Sequence, residues 1–353
     1  MTLPLIHRAK WAFTTRRVRR ADSAALLSDV QDTAVGDLIA ARVERIGSHR
    51  RLQLANGRPS DLWPGDVIVA ACGDRYAADQ FEGFGVIEPD GCDLLAGGGV
   101  LGQATCRHGR LSAPTRLVPI GRLTDRDGTP LNIARYALRR AAAARPATVI
   151  GVVGTGMNSG KTTAAAALIR GLTTAGLPVA ALKATGTGAF GDLNAYADAG
   201  AAFVADFTDD GLVSTYRQPP ERIGATLDTL LGHAAEEGCT VAVVEIADGL
   251  LQDETAALLG MAGARGWFDG LLFAAGDALS ALGGLGTLRT AGLPVLALSG
   301  VITRAPLAVR EVERAAGVPT LGRDILADPA AAAALLSETR ARAAASQCVS
   351  AAA

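Results

Sequence analysis

A glycine-rich segment between a strand-like run and a helix-like run constrains the fold of this chain more than any other feature. The run ATVIGVVG is continuously apolar, as in a strand buried on both faces of a parallel sheet. It leads into GTGMNSGKTT and then into AAAALIRGLTTAG, which has the composition of a helix. A strand, a glycine turn and a helix in this order bring backbone N–H groups and the positive end of the helix to one place. The segment therefore predicts a phosphate-binding loop in an α/β fold.

The composition of this loop assigns roles to its residues. Lys161 is predicted to place its charge on the β- and γ-phosphates of a nucleotide, and the Thr162 hydroxyl is predicted to ligate Mg²⁺. Compared with the pattern G-x-x-x-x-G-K-[ST], the first glycine lies one residue earlier, and Thr155 stands in its place. The predicted nucleotide-binding residues are the whole loop: Gly154, Thr155, Gly156, Met157, Asn158, Ser159, Gly160, Lys161, Thr162 and Thr163.

Lysine is rare in this chain, which makes each lysine informative. The sequence has three, Lys10, Lys161 and Lys183, among 34 basic residues, so arginine is used at nearly every other basic position. A lysine is needed where a compact point charge or an amine must act, which a planar guanidinium cannot replace. Lys183 ends the strand-like run LPVAALK, and we predict that it is catalytic together with Lys161.

A buried carboxylate is predicted at the end of a further strand. Glu245 ends the run VAVVE, and the carboxyl ends of parallel strands face the ligand crevice of an open α/β sheet. In phosphate-loop proteins an acidic group at this place reaches the metal or its water. Glu245 is therefore predicted as a catalytic residue and a metal ligand.

Two stretches resemble known families. The loop from Gly154 to Thr162 is similar to that of dethiobiotin synthetase, G-T-x-x-x-x-G-K-T, and Lys183-Ala184-Thr185-Gly186-Thr187 is similar to its lysine followed by A-[ST]-G-[ST]. The same region resembles a P-loop family linked to D-glutamate metabolism, which has a V-A-T-G-x-T-G segment and an Asp-Phe pair like Asp206-Phe207. The resemblance covers roughly residues 148–300.

The resemblance implies a magnesium site and a dimer. Dethiobiotin synthetases bind Mg²⁺ with a glutamate at the place of Glu245, and Asp198 lines up with their metal aspartate. Asp206 fits the Asp-Phe pair of the other family instead, so both aspartates remain candidates. The neighbouring Asp192, Asp209 and Asp210 are expected to be solvated. A homodimer is implied as well.

Two functions follow from these residues. The first is a Mg-ATP-dependent enzyme that activates a carboxylate or carbamate of a small, amino-acid-like substrate by phosphoryl transfer, after which an amine displaces phosphate in a ligase or cyclising reaction. The alternative is a nucleotide-dependent switch or metallochaperone that acts on a protein partner. The choice of ATP over GTP rests on the resemblance alone.

Charge and cysteine content set outer limits. The net charge of -1 argues against a nucleic-acid coat or a membrane-surface protein. No apolar run reaches the ~18 residues of a membrane span. The five cysteines lie far apart without a CxxC pair, which is typical of reduced thiols in a cytoplasmic protein.

We predict four regions along the chain. Residues 1–34 are a basic leader, expected as a solvated helix or arm. Short β-type runs broken by turns over residues 35–133 predict a small barrel or sandwich, and the Ala- and Arg-rich residues 134–147 predict a helix and linker. Strand-like and helix-like runs alternate over residues 148–345, which predicts a doubly wound, mainly parallel sheet of P-loop NTPase type.

Overall fold

A computed structural model describes residue 6, residues 8–141 and residues 144–352 of the chain. These residues form two compact units. The first unit contains the described residues up to Arg139 and two later segments, Gly186–Gly191 and Phe207–Arg217. The second unit contains the remaining described residues.

The first unit is a β-barrel with additional strands. Strands β6, β3, β10, β8 and β9 pair in that order, and β9 pairs again with β6, which closes the sheet. Strands β1, β2 and β7 extend it, and β4 pairs with β5 as a separate hairpin. The strands are β1 (Lys10–Trp11), β2 (Ala25–Leu27), β3 (Leu38–Arg45), β4 (Arg51–Gln53), β5 (Pro59–Asp61), β6 (Val67–Cys72), β7 (Phe81–Phe84), β8 (Cys92–Ala96), β9 (Val100–Arg107) and β10 (Thr115–Thr124).

Apolar residues cover both faces of the central barrel strands. Successive side chains of a strand point to opposite faces. In β3, Leu38 and Ala40 therefore belong to one buried cluster, whereas Ile39 and Ala41 belong to another. This explains why LIAA is a continuous apolar run. The predicted β-rich domain is confirmed, and of the two predicted forms, a small barrel or a sandwich, the structure has the barrel.

The structure differs from the predicted leader and linker. Trp11 and Phe13 are buried in the first unit, because these large apolar side chains gain more from burial than from exposure to water. The basic segment after them is part of the first unit, while Arg17, Arg19 and Arg20 are exposed, as expected of solvated side chains. In the described part of residues 134–147 there is no α-helix, only a 3₁₀ turn at Ile133–Tyr136 anchored by those two buried side chains.

The second unit is a six-stranded parallel sheet with helices on both faces. Its strand order is β13-β12-β14-β11-β15-β16. The strands are β11 (Thr148–Gly154), β12 (Val179–Lys183), β13 (Phe203–Asp206), β14 (Val241–Glu245), β15 (Gly270–Ala274) and β16 (Val295–Ser299). The helices are α1 (Lys161–Thr174), α2 (Phe190–Asp198), α3 (Pro220–Glu236), α4 (Asp253–Arg265), α5 (Ala278–Thr290), α6 (Pro306–Ala316), α7 (Arg323–Ala327) and α8 (Pro329–Ala352).

Alternation along β11 separates the two helical layers. Ile150 and Val152 pack with α1 and α8 in one buried cluster. On the opposite face Phe273, the register partner of Val153, lies where α5 approaches the sheet through Gly284. Both faces are covered, so the predicted doubly wound parallel sheet is confirmed. Among the described residues, no helix has both the length and the apolarity that crossing a membrane requires.

Candidate functional site

The predicted phosphate loop joins the central strand β11 to the N-terminus of α1. Gly160 precedes the helix with φ 100°, a left-handed conformation that glycine adopts without a steric penalty. A Cβ at this position would lie 2.8 Å from the Gly300 Cα atom, so a side chain would not fit. Asn158 also has a positive φ, of 60°. The loop is therefore a tight turn whose shape depends on small residues.

Lys161 lies inside this loop. Its ammonium group donates hydrogen bonds of 2.8 Å to the carbonyl oxygens of Gly156 and Asp248. Burial lowers the pKa of Lys161, and the negative charges of Glu245 and Asp248 oppose that shift. The side chain is 6% exposed, so its charge lies in a low-dielectric environment where it acts strongly on a nearby anion.

The other loop residues differ in exposure. Ser159 is buried, and its hydroxyl oxygen has no hydrogen-bond partner among the described residues. Gly154 faces this hydroxyl so closely that a Cβ would lie 2.3 Å from it. The half-buried residues are Thr155, Gly156, Met157, Gly160 and Thr162, while Asn158 and Thr163 are exposed.

A row of three ionisable residues crosses the carboxyl edge of the sheet beside the loop. Lys183 at the end of β12 is the register partner of Asp206 in β13 on one side and of Glu245 in β14 on the other. All three side chains are buried, with exposed fractions of 8%, 1% and 2%. The Lys183 ammonium lies 3.8 Å from Glu245 Oε1. A buried cation is thus paired with buried carboxylates.

Asp192, in the first turn of α2, links this row to the phosphate loop. It accepts a 2.9 Å hydrogen bond from the Thr162 hydroxyl and forms an ion pair with Lys183. The expectation that Asp192 is solvated is therefore wrong. Its place at the start of α2 brings it to Thr162, 30 residues earlier in the sequence, and to Lys183, nine residues earlier.

The charges of Lys183 and Asp192 stabilise each other. Burial alone lowers the pKa of Lys183, but the fields of Glu245 and Asp192 outweigh burial and hold that pKa above its ordinary value. Burial raises the pKa of Asp192, but Lys183 outweighs burial and holds it below its ordinary value. Lys183 is therefore an ammonium ion at neutral pH, so it supplies charge rather than a free amine.

The remaining predicted aspartates lie in different environments. Asp198 is exposed at the end of α2. It lies six residues beyond Asp192, which is about 9 Å along the helix axis and about 240° around it. It therefore lies apart from the cluster that Asp192 joins. Asp206 does lie in the cluster, where its charge helps to raise the pKa of Lys183.

Asp209 and Asp210 are buried rather than solvated, which corrects the second part of that expectation. Asp209 forms a 2.5 Å ion pair with Arg16, and its backbone carbonyl accepts a hydrogen bond from the Leu138 N–H group. The arginine side chain provides the charge that lets this carboxylate be buried. Both aspartates belong to the first unit.

Tyr196 is a residue of the site that the sequence reasoning missed. It lies one helical turn after Asp192 on α2, and its hydroxyl donates a hydrogen bond to Glu245 Oε2. Burial raises the pKa of Tyr196 well above its ordinary value, and the charges of Glu245 and Asp192 raise it further. The phenol therefore stays protonated and serves as a donor. The i,i+4 spacing from Asp192 is the sequence signal that could have identified it.

The comparisons with known proteins find distant structural similarity only. No family model matches the chain, and no curated protein matches it. Among solved structures, it is similar to the signal recognition particle receptor FtsY from Elizabethkingia anophelis at 16% identity, over 51% of this chain and 59% of that one, with a TM-score of 0.36. It is similar to chloroplast FtsY from Physcomitrella patens at 18% identity, over 54% of this chain and 66% of that one, with a TM-score of 0.37. It is similar to the kinase domain of Escherichia coli tyrosine kinase ETK at 14% identity, over 42% of this chain and 65% of that one, with a TM-score of 0.32.

The chain thus spans about three fifths of the length of the first of these structures. Similarity of this degree assigns no activity. The second unit itself has the fold of P-loop NTPases, because a central strand of its parallel sheet leads through a glycine-rich GKT loop into a helix.

Proposed function

We propose that this chain is a Mg-ATP-dependent enzyme that activates a carboxylate or carbamate of a small, amino-acid-like substrate by phosphoryl transfer. An amine then forms an amide or closes a ring. The observation that carries the proposal is Lys183, a second buried ammonium beside the phosphate loop, joined to Thr162 through Asp192. A nucleotide switch needs a phosphate loop and a segment that responds to it, but it has no evident need for this second buried cation.

The loop residues fit the phosphates of a nucleotide. The Lys161 ammonium and the partnerless Ser159 hydroxyl lie beside the N-terminus of α1, whose first N–H groups have no partner within the helix. A phosphate group is an acceptor for all of these donors. Phosphate binding would also draw Lys161 away from the Gly156 and Asp248 carbonyl oxygens that it contacts here.

The polar residues also fit a magnesium ion. Within the described residues, no three His, Cys, Asp or Glu side chains form a metal-binding group. Mg²⁺ is usually held by one or two carboxylates together with substrate phosphates and water, so a protein cage is not required. Thr162 and Glu245 would hold the ion, and Asp192 would be the third oxygen ligand in place of Asp198. Asp206 is on the other side of Lys183 from Glu245 in the strand order. The bound ion would neutralise charge on the transferring phosphoryl group.

Lys183 would supply a fixed positive charge in a reaction that has two steps. In the first step a substrate carboxylate oxygen bonds to the γ-phosphorus, and the bond from that phosphorus to the bridging oxygen breaks, releasing nucleoside diphosphate. In the second an amine bonds to the acyl carbon, phosphate leaves and the amine loses a proton. Negative charge develops on the transferred group in the first step, where a buried ammonium stabilises it.

The test uses substrate carboxylates that carry an oxygen isotope. Wild-type protein is incubated with Mg-ATP, and separately with Mg-GTP, together with a panel of small amino-containing carboxylic acids. The proposal expects that one of these acids stimulates nucleoside diphosphate release, and that the labelled oxygen appears in the released phosphate. Lys183→Ala should bind nucleotide but lose this transfer, whereas Lys10→Ala, changed at an ion pair in the first unit, should keep it.

The outcomes separate the two classes of function. Label in the phosphate requires a bond between the substrate carboxylate and phosphorus, so it supports the enzyme. Hydrolysis that small acids leave unchanged and that a protein partner stimulates would support the nucleotide-dependent switch or metallochaperone instead. The homodimer remains part of the proposal, and sedimentation of the full chain tests it.

A further inference from the structure

Tyr196 is unusual among the residues around the phosphate loop, because it is large, aromatic and polar and is buried with 1% of its surface exposed. Its ring packs in the apolar cluster formed by α1 and one face of the sheet. Its hydroxyl donates a hydrogen bond to Glu245 Oε2 and also forms a hydrogen bond with the Thr162 side chain. Packing alone needs only the ring, so the hydroxyl requires a separate explanation.

The two oxygens of the Glu245 carboxylate have different partners. Oε2 accepts from Tyr196, and Oε1 faces the Lys183 ammonium at 3.8 Å. A buried carboxylate without the phenol could rotate so that both oxygens turn toward the Lys183 ammonium, because hydrogen bonds between charged groups are stronger than those to neutral ones. The phenol therefore holds the carboxylate in one rotational position.

We infer that Tyr196 is a positioning residue, whose hydroxyl fixes one oxygen of Glu245 and thereby leaves the other for Lys183 and for metal binding. Helix α2 thus carries two orienting groups one turn apart, since Asp192 accepts from the Thr162 hydroxyl and Tyr196 donates to Glu245. Groups that orient metal ligands commonly change metal affinity or activity by about 10- to 100-fold when they are removed. This inference rests on the proposed function.

The experiment removes the hydroxyl and keeps the ring. Nucleotide affinity of Tyr196→Phe is measured by calorimetry, first with a chelator and then across a magnesium series, using the full chain. The chelator value should match wild type, because Lys161 and the loop amides are unchanged. The magnesium concentration for half-maximal effect should rise about tenfold, because the Glu245 carboxylate is no longer held.

Tyr136→Phe is the matched control, since it deletes a phenol hydroxyl that donates a 2.9 Å hydrogen bond to Asp22 in the first unit. It should leave the magnesium series unchanged. A Tyr196→Phe series that superimposes on wild type would overturn the inference. Loss of nucleotide affinity already in the chelator would also overturn it, because the hydroxyl would then support the whole loop.

The same titration separates two kinds of failure. If wild-type affinity for nucleotide responds to magnesium and Tyr196→Phe responds identically, only the role of Tyr196 is wrong. If wild-type protein binds no nucleotide at any magnesium concentration, the proposed function fails, and the role of Tyr196 fails with it.

Discussion

The phosphate loop and helix α2 approach the same edge of the second unit's sheet, but they contribute different kinds of groups. The loop offers backbone N–H groups and one lysine, and its shape depends on positions where a side chain would not fit. Helix α2 offers the side chains of Asp192 and Tyr196, which hold Thr162, Lys183 and Glu245 in place. The loop thus presents mainly backbone donors, whereas α2 presents side chains that orient their neighbours.

This difference determines which of the two groups of site residues can be predicted from sequence. A main-chain site needs glycine at fixed spacing, and that spacing is visible as a motif. A side-chain site needs only that certain residues meet in space, and their spacing along the chain can be almost anything. The difference between the two regions predicts that changes in the loop mainly affect nucleotide affinity, whereas changes at α2 and its partners mainly affect magnesium dependence and turnover.

The largest effect is expected at the loop lysine. Lys161→Ala removes a buried ammonium, which as a partner of phosphate contributes roughly 3 kcal/mol, so nucleotide affinity should fall at least about a hundredfold. Calorimetry measures this change, and circular dichroism checks that the fold is kept. A nucleotide affinity within about twofold of wild type would contradict the assignment of this segment as a phosphate-binding loop.

Glu245→Gln should have the next largest effect, which is expected on turnover rather than on nucleotide affinity. The change keeps the size of the side chain and removes its charge, so Mg²⁺-dependent turnover should fall about a hundredfold if the carboxylate supplies ~2.7 kcal/mol to the transition state. Nucleotide affinity in a chelator should change much less. Steady-state kinetics at saturating nucleotide give the first value, and near-normal turnover would show that Glu245 has no part in the reaction.

Two aspartates on α2 test whether position or charge matters. Asp192→Asn removes the ion pair with Lys183 and weakens the acceptor for the Thr162 hydroxyl, so turnover should fall about tenfold or more. Asp198→Asn makes the same chemical change at the exposed end of the same helix and should leave turnover unchanged. The reverse result would restore Asp198 to the site and reject Asp192.

A methyl group inside the loop is expected to change stability rather than nucleotide affinity or turnover. Gly154→Ala would place a Cβ 2.3 Å from the Ser159 hydroxyl oxygen, whereas Gly156→Ala meets no atom within 4 Å. The first variant should lose about 1–3 kcal/mol of unfolding free energy through overpacking, and the second should lose much less. Denaturant titration of the ligand-free protein compares them, and equal losses would show that the loop tolerates a side chain at Gly154.

The sequence was sufficient for the parallel sheet, for a small β-rich domain and for the loop, but not for the choice between a barrel and a sandwich. Each of these has a local signature, such as the continuous apolar run of β11 or the glycine spacing before Lys161. It was not sufficient to choose among five aspartates between Asp192 and Asp210, because which of them lies at the sheet edge depends on where α2 begins. Tyr196 was overlooked because a tyrosine within a helix has the same pattern as a core aromatic residue.

The strand register supplied what the motif could not. Lys183 could be singled out because lysine is scarce, but its partners could not be known until β12 was aligned with β13 and β14. The alignment places Asp206 and Glu245 on either side of it. The Lys183 charge, which the sequence suggested as an isolated feature, therefore belongs to a cluster of opposite charges.

The discontinuous make-up of the first unit has a consequence for how the chain is synthesised and folds. Its early residues find partners very late, as in the ion pair between Arg16 and Asp209, 193 positions apart. A ribosome has therefore already produced β11, α1 and β12 before the barrel can receive Phe207–Arg217. Domains usually complete in order from the N-terminus during translation, but here the first unit must wait for part of the second. Nascent chains halted before residue 207 should accordingly be more sensitive to protease in the barrel than chains halted after residue 217.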